Sequence, residues 1–309
     1  MKSTSLELMT VVSVLLLAAT SQAALIDLGF EVSEGFTSGN SVIGSSIPGG
    51  SITYEGTQGD NPNGYLVSDV RARNGGQSVA LSLPRDESTT NFGTMQVRLD
   101  GDTVTALTGQ KIRLQHSVYK FANEDLHRFR AFKTGCCECC SSPGGEMFQL
   151  GIGASDGGQI RLEAGINDPV QFQAWEVEGI GTDEGWYDVT MDIDFGASEG
   201  QQITGLTVNH PGIGLIDFFQ TATGKGGSQD GNLLSGYGNA VGFRGDHFDA
   251  ENAKADRLST LLYSWNDPDG GHPASAYDSI SVSIIPEPAS CLLMVVGLVG
   301  LLGLRRRTR

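Results

Sequence analysis

The sequence predicts an all-β protein in which two antiparallel sheets pack face to face as a sandwich. Apolar and polar residues alternate in at least thirteen short segments, which is the pattern of strands with one buried face. Glycine supplies 43 of the 309 residues, well above the usual share of about 7%. Turn clusters such as GDNPNG and RNGG separate the segments. Because each strand must bury its apolar face, two packed sheets follow.

The predicted strands follow one another along most of the chain. They lie at residues 51–55, 65–70, 77–83, 94–99, 111–119, 127–133, 147–153, 159–165, 170–178, 187–195, 203–209, 215–219 and 279–285. The clearest is YDVTMDIDF, whose apolar face consists of Val189, Met191, Ile193 and Phe195. Its opposite face consists of Asp188, Thr190, Asp192 and Asp194. The segment KIRLQHSVY likewise places Ile112, Leu114, His116 and Val118 together.

A helical spacing competes with the strand pattern in one place. Asp249 could cap a short helix through Asp256, and the leucines of RLSTLLYSW fit a period of 3.6, yet the same segment also reads as a strand. No Pro-rich or Ser-rich linker interrupts residues 24–285, so we expect one sandwich domain. A division into two domains near residues 135–145 is the alternative.

The first 23 residues have the features of a signal peptide. Lys2 precedes an apolar stretch from Val11 to Ala19, and Ser21-Gln22-Ala23 offers small residues at a signal peptidase site. We expect a signal helix that is cleaved after Ala23. The alternative is an uncleaved anchor.

The last 24 residues, 286–309, combine three features in order. Pro286-Glu287-Pro288 precedes an apolar run of sixteen residues, and the basic residues Arg305, Arg306, Arg307 and Arg309 follow. A transmembrane helix needs about twenty apolar residues, and flanking arginines stay in the cytoplasm. The segment resembles the PEP-CTERM sorting signal. That resemblance implies a transmembrane helix that tethers the precursor to the inner membrane, cleavage by an exosortase, and release to the cell surface or matrix of an exopolysaccharide producer. A plain anchor is the alternative.

The charge of the chain excludes one class of partner. The whole chain carries −16, and the two predicted cleavable ends together carry +3, which leaves −19 on residues 24–285. Such a charge repels nucleic acid and anionic lipid, so we expect membrane contact only through the C-terminal helix.

Three stretches resemble the jelly rolls of laminin-G-like and concanavalin-like proteins: GGQSVALSL, GWYDVTMDIDF and AYDSISVSI. The resemblance implies a lectin, a binding module or a glucanase. It also implies a structural calcium ion near Asp278, for which we expect Asp27 on the first strand as a partner, because first and last strands often pair in such folds. We therefore expect a non-enzymatic surface or matrix protein that binds polysaccharide.

The first alternative function is a glycan hydrolase, which would depend on paired carboxylates. Asp192 and Asp194 lie about 7 Å apart on one strand face, and paired carboxylates suit a glycan hydrolase. The glucanase pattern E-x-D-x-x-E is not matched here, so a solvated acidic face is favoured.

The cysteines suggest a structural protein linked by disulfides. Four of the five stand together in GCCECC, as Cys136, Cys137, Cys139 and Cys140. Disulfides within the loop or between chains are the default in an oxidising compartment, with a metal or thiolate cluster and inert thiols as alternatives.

Other candidate ligands and stacking groups are scattered. Asp246, His247, Asp249, Asp267 and Asp269 carry oxygen ligands that suit calcium but complete no EF-hand loop. Aromatic residues that could stack on sugar rings are Trp175, Trp186, Trp265, Tyr187, Tyr237 and Tyr263.

Overall fold

A computed structural model describes residues 24–55, 65–81, 93–120, 126–133, 145–153, 158–166, 171–180, 183–226, 230–238, 240–244, 254–266 and 276–286. These residues form two antiparallel sheets that pack as a sandwich, as the alternation predicts. The signal peptide, the sorting segment beyond Pro286, the four clustered cysteines, and Asp246, His247, Asp249, Asp267 and Asp269 lie outside the described residues.

Sheet A contains eight of the described strands. In spatial order they are β14 (Gly214–Asp217), β13 (Ile203–His210), β12 (Gly185–Asp194), β7 (Lys111–Lys120), β17 (Ala276–Ile284), β5 (Ser78–Leu81) and β4 (Tyr65–Ser68), while β1 (Ile26–Leu28) also pairs with β17. The first and last strands therefore lie side by side, as expected, with Ile26 opposite Val282.

Sheet B contains nine of the described strands. In spatial order they are β15 (Thr223–Lys225), β11 (Gln171–Val177), β10 (Gln159–Ile166), β9 (Glu146–Gly153), β8 (Leu126–Phe132), β16 (Thr260–Asn266), β6 (Gly93–Leu99), β3 (Gly50–Glu55) and β2 (Ser46–Ile47). The strands on either side of residues 134–144, β8 and β9, are direct neighbours in this sheet.

The core lies between the two sheets and is built from the predicted apolar faces. Val189, Met191, Ile193 and Phe195 are at most 7% exposed, which confirms the register of β12. On β7, Ile112, Leu114, His116 and Val118 are also buried. Because the inward side chains are large and aliphatic or aromatic, burial of their surface is the main force that holds the two sheets together.

Helices are few and short in the part of the chain that the structure describes. The described residues contain α1 (Gly101–Leu107), α2 (Phe218–Thr221) and two 3-10 turns at Val32–Glu34 and Leu234–Tyr237. None of the described helices is long and apolar enough to cross a membrane. The ambiguous segment RLSTLLYSW resolves as a strand, because β16 pairs with β6 on one side and with β8 on the other.

Strand β17 contains a bulge that the alternation does not reveal. Asp278 faces Ser117 on β7. The next paired residue of β17, Ser281, comes three positions later, whereas its partner Gln115 is only two positions from Ser117, so β17 contains one extra residue. Ser279 takes up the extra residue with a φ of 54°, in the left-handed region. As a result, Asp278 and Ser281 both lie on the outer face of sheet A, while Ile280 stays in the core.

Candidate functional site

The outer face of sheet A carries a continuous row of cross-strand pairs between β7 and β12. The register places Tyr119 opposite Trp186, Ser117 opposite Asp188, Gln115 opposite Thr190, Arg113 opposite Asp192 and Lys111 opposite Asp194. These side chains point outward because the residues between them point into the core. We call these five pairs the outer ladder.

Two cross-strand ion pairs occupy one end of the outer ladder. Arg113 donates from Nε and Nη2 to the two oxygens of Asp192, at 2.7 and 2.8 Å. Lys111 Nζ lies 3.1 Å from Asp194 Oδ2. Asp192 and Asp194 thus point outward as predicted, but each is half-buried beside a cation of β7 and does not belong to an open acidic face.

The middle of the ladder borders a cleft of about 630 Å³. Its walls come from β1, β7, β12, β17 and the loop at residues 71–77. The polar side chains that line it include Asp27, Arg73, Gln115, Thr190 and Ser281. Gln115 Nε2 donates to Thr190 Oγ1 over 3.3 Å, a long hydrogen bond that leaves both groups able to bind a ligand.

Two carboxylates from other segments hold the loop at 71–77 in place by accepting hydrogen bonds from its backbone. Asp278 Oδ2 accepts from the backbone N–H groups of Arg73 at 2.7 Å and Asn74 at 3.2 Å. Glu31 Oε1 accepts from the N–H groups of Gly76 and Gln77 at 2.8 and 3.1 Å. The loop therefore forms a fixed wall of the cleft, and Asp278 beneath it is completely buried.

Asp188 is the most connected acid of the ladder. It accepts both guanidinium bonds of Arg73, at 2.8 and 2.6 Å, and further bonds from Ser117 Oγ at 2.8 Å and Asn209 Nδ2 at 3.1 Å. Partial burial pushes the pKa of Asp188 upward, but the hydrogen bonds outweigh it and the pKa is lowered overall. Asp188 is thus held as a charged carboxylate.

The other end of the ladder is aromatic. Tyr119 and Trp186 meet edge to face with ring centroids 5.5 Å apart, and both are half-buried. The Arg71 guanidinium carbon lies 4.8 Å from the centre of the Tyr119 ring, and the Tyr119 hydroxyl donates to Glu184 Oε1 at 2.6 Å. A partly exposed aromatic pair therefore forms this end of the ladder, one outward pair beyond Ser117 and Asp188, which line the cleft.

The other aromatic residues predicted to stack on sugars differ in their exposure. Trp175, Tyr187 and Tyr263 are buried in the core and cannot stack on a surface ligand. Tyr237 is half-buried and packs against Trp175 at 5.3 Å. The side chain of Trp265 lies outside the described part of the chain.

The two aspartates predicted to hold calcium stand near each other in the topology but have different surroundings. Asp27 on β1 is exposed, lies opposite Ser281 and lines the cleft. Asp278 is buried beneath the loop, and burial raises its pKa more than its N–H bonds lower it. Within the described residues, no group of three or more His, Cys, Asp or Glu side chains is arranged to hold a metal ion.

Several residues that line the cleft cannot be identified as a group from the sequence alone. RNGG at 73–76 reads as a turn, and nothing local shows that Arg73 meets Asp188, which is 115 residues away. Gln115 and Thr190 occupy ordinary outward positions of alternating strands. The alternation does carry one usable signal, because Lys111 and Arg113 share the face of β7 that pairs with the acidic face of β12.

No family model matches the chain, and no curated protein matches it either. Among solved structures, the binding domain of botulinum neurotoxin DC, determined with rat synaptotagmin II, aligns over 89% of this chain with 11% identity and a TM-score of 0.42. The chain spans about half of that domain, 51% of its length. The globular domain of T. cruzi calreticulin aligns over 93% of this chain and all of its own length, with 9% identity and a TM-score of 0.43.

Proposed function

We propose that the protein is an exported surface or matrix protein that binds polysaccharide on the outer face of sheet A and does not cleave it. The observation that carries the proposal is the polar cleft of about 630 Å³ that borders the outer ladder, together with the aromatic pair that follows Ser117 and Asp188 as the next outward pair of the ladder. Its sandwich is, on this proposal, a jelly roll of the concanavalin-like or laminin-G-like type.

The side chains of the cleft have the chemistry that sugar hydroxyls require. Gln115 offers an amide donor and acceptor, Thr190 and Ser281 offer hydroxyls, and Asp27 accepts only. A sugar ring also presents apolar C–H faces, for which the partly exposed ring of Trp186 is a suitable partner. The volume of the cleft falls in the range typical of sites for small ligands, about 300 to 1,000 Å³.

The electrostatics of the same face favour binding over hydrolysis. A glycosidase needs one carboxyl group with a raised pKa as general acid beside a second, charged carboxylate. The described acids of the ladder do not match this requirement, because Asp188, Asp192 and Asp194 are each paired with a cation and the pKa of Asp188 is lowered. Asp278 has a raised pKa, but it is completely buried beneath the loop at 71–77 and bound to its N–H groups. The net charge of −16 argues against nucleic acid as the ligand.

Delivery to the surface is part of the proposal. The signal peptide ending at Ala23 would direct export, and Pro286-Glu287-Pro288 with the following apolar segment and arginines would make the precursor an exosortase substrate. A structural calcium ion near Asp27 and Asp278 would link the two ends of the domain. The pairing of β1 with β17 supports this last point, because it places both aspartates on adjacent strands.

Binding is tested by glycan array followed by titration calorimetry on the strongest polysaccharide. We expect Gln115→Ala and Trp186→Ala each to weaken binding by about tenfold, as for the loss of one good hydrogen bond or one ring contact. Gln201→Ala is a matched control, because Gln201 is exposed in a loop and takes no part in the cleft. Equal affinity in all four proteins would exclude this face as the site.

A further inference from the structure

The cleft on sheet A carries more negative than positive charge. The charged residues among its described lining are four acids and one arginine, namely Asp27, Glu31, Glu34 and Asp188 against Arg73. His116 also borders the cleft, but it is buried and burial lowers its pKa to about 3, so it adds no charge at neutral pH. Four negative charges against one positive charge leave a formal charge of −3 on these walls.

The arginine of this lining is already engaged by one of the four acids. The guanidinium of Arg73 donates to both oxygens of Asp188, at 2.8 and 2.6 Å, so these two charges offset each other. The negative surplus therefore lies on the other side of the cleft, on β1 and the turn that follows it.

Two of the surplus carboxylates are held by backbone N–H groups. Glu31 Oε1 accepts from Gly76 at 2.8 Å and from Gln77 at 3.1 Å. Glu34 Oε2 accepts from the backbone N–H groups of Gly29 at 3.0 Å and Glu31 at 2.9 Å. Such bonds favour the charged form of a carboxylate, but neutral donors do not cancel its net charge. Both acids are thus fixed at the cleft with their charge uncompensated.

Asp27 is the third surplus acid, and it is open to a ligand. Its side chain is exposed, and no hydrogen bond or ion pair engages its carboxylate within the described residues. The register places it in one outward row, with Asp27 opposite Ser281, Ser281 opposite Gln115, and Gln115 opposite Thr190. Adjacent strands lie about 4.8 Å apart, so a sugar chain that lies along this row and binds Gln115 also meets Asp27.

We propose that the polysaccharide bound in this cleft is an amino sugar polymer, whose protonated amine binds Asp27. The inference rests on the proposed function and names the substrate class of the same site. A protonated amine has three N–H donors and no acceptor, which complements a carboxylate that only accepts. Hydrogen bonds between two charged groups are roughly twice as strong as neutral ones. A uronate or sulfate in the same place would instead meet the like charges of Asp27, Glu31 and Glu34, which disfavours anionic polysaccharides.

The test uses the full chain and one sugar backbone in three forms: a glucosamine tetramer, the same tetramer N-acetylated, and the same tetramer N-sulfated. Calorimetry is performed in a buffer in which the amine is protonated, with chelator present so that no divalent cation occupies Asp27. We expect the amine form to bind about tenfold or more tightly than the N-acetylated form, and the N-sulfated form to bind most weakly. Added salt should reduce these differences, because it screens charges at an exposed site.

Variants separate recognition at Asp27 from the general attraction of an acidic chain for cations. Asp27→Asn keeps the size of the side chain and removes its charge, so the amine form should lose about tenfold in affinity while the N-acetylated form is unaffected. Asp217→Asn is the matched control, because Asp217 is an exposed acid at the edge of the same sheet and outside the described lining of the cleft. Its carboxylate accepts from the N–H of Phe219, and asparagine can do the same. Circular dichroism confirms that both variants keep the fold.

The outcomes distinguish this inference from the proposed function. Equal affinity for the amine and N-acetylated forms, or tightest binding of the N-sulfated form, would overturn the amino sugar while the cleft remained a sugar site. An equal loss of amine binding in Asp27→Asn and Asp217→Asn would reduce the preference to general charge and overturn it too, as would an amine preference undiminished in Asp27→Asn. If no glycan of any charge bound to the protein, the proposed function would fail, and this inference with it.

Discussion

Arg73 and Asp188 form a two-pronged ion pair, with Nε 2.8 Å from Oδ1 and Nη2 2.6 Å from Oδ2. The pair joins the loop at 71–77 to the centre of β12. The backbone N–H of the same arginine binds Asp278 on β17. One residue of an irregular loop therefore connects two strands of sheet A, β12 and β17, at the wall of the cleft.

Replacing Arg73 by Ala should affect ligand binding more than stability. The side chains of Arg73 and Asp188 are 37% and 30% exposed, so the ion pair contributes only about 0.2 to 1 kcal/mol to folding. The backbone bond to Asp278 survives the substitution and keeps the loop in place. We expect a urea midpoint close to wild type and weaker polysaccharide binding by calorimetry. A loss of stability above about 2 kcal/mol would show that the side chain holds the fold instead.

Replacing Met191 by Asp should unfold the protein or nearly so. Met191 is fully buried between the sheets, and an unpaired charge there costs several kcal/mol. Gln115→Asp is the control, because it places the same charge on the exposed face of the neighbouring strand. Denaturant unfolding measures both. Similar stabilities for the two variants would contradict the assigned faces of β7 and β12.

The alternation in β12 and β7 predicts the buried faces because each strand is regular and its period is read locally. The bulge at Ser279 cannot be read in this way, since simple alternation would place Asp278 in the core beside Ile280. RLSTLLYSW is also locally ambiguous, and its pairing with β6 and β8 decides for a strand.

Many of the polar contacts in both sheets join residues far apart in the chain. Arg73 and Asp278 are 205 residues apart, and Glu146 and Arg244 are 98 apart. Gly151 reads as part of a glycine-rich hairpin, and only the register shows that it separates two arginines. Such positions depend on strand order, which local patterns do not encode.

Calcium should raise the melting temperature if Asp27 and Asp278 hold an ion. Binding to the folded state alone stabilises by about 2.7 kcal/mol at a hundredfold excess over the dissociation constant. Melts with calcium and with chelator are compared in wild type and in Asp27→Asn, whose exposed side chain can change with little effect on the core. We expect the calcium effect to disappear in the variant. Identical wild-type melts in the two buffers would remove calcium from the account.

Mass spectrometry of the surface form tests the processing prediction. We expect a mature chain that begins at residue 24 and has lost everything after the Pro286-Glu287-Pro288 region. Replacing this motif by three alanines should leave a precursor that keeps its arginines in the membrane fraction. A surface form of the wild type that retains Arg305, Arg306 and Arg307 would favour the plain anchor.

Two buried histidines should make the protein sensitive to mild acid. His116 and His127 are 4% and 3% exposed, and burial is the main cause that lowers the pKa of each to about 3. Their unfolded pKa is about 6.5. Between these values the unfolded chain binds more protons than the folded one, so stability is complete above about pH 6.5 and is lost as the pH falls.

Below about pH 6, we expect the free energy of unfolding to fall by about 2 to 3 kcal/mol per pH unit for the two histidines together. The raised pKa values of Glu146 and Asp278 act in the opposite direction above their unfolded values of about 4, so a histidine variant is compared with wild type at each pH to isolate the histidines. His116→Phe provides the decisive variant, because His116 packs as a ring against Phe129 at 4.6 Å and Tyr263 at 5.4 Å. Phenylalanine can fill that space without a titratable group, and it should remove roughly half of the slope. Urea unfolding at three pH values measures the effect. A slope in the variant equal to that of wild type would show that acid acts elsewhere in the molecule.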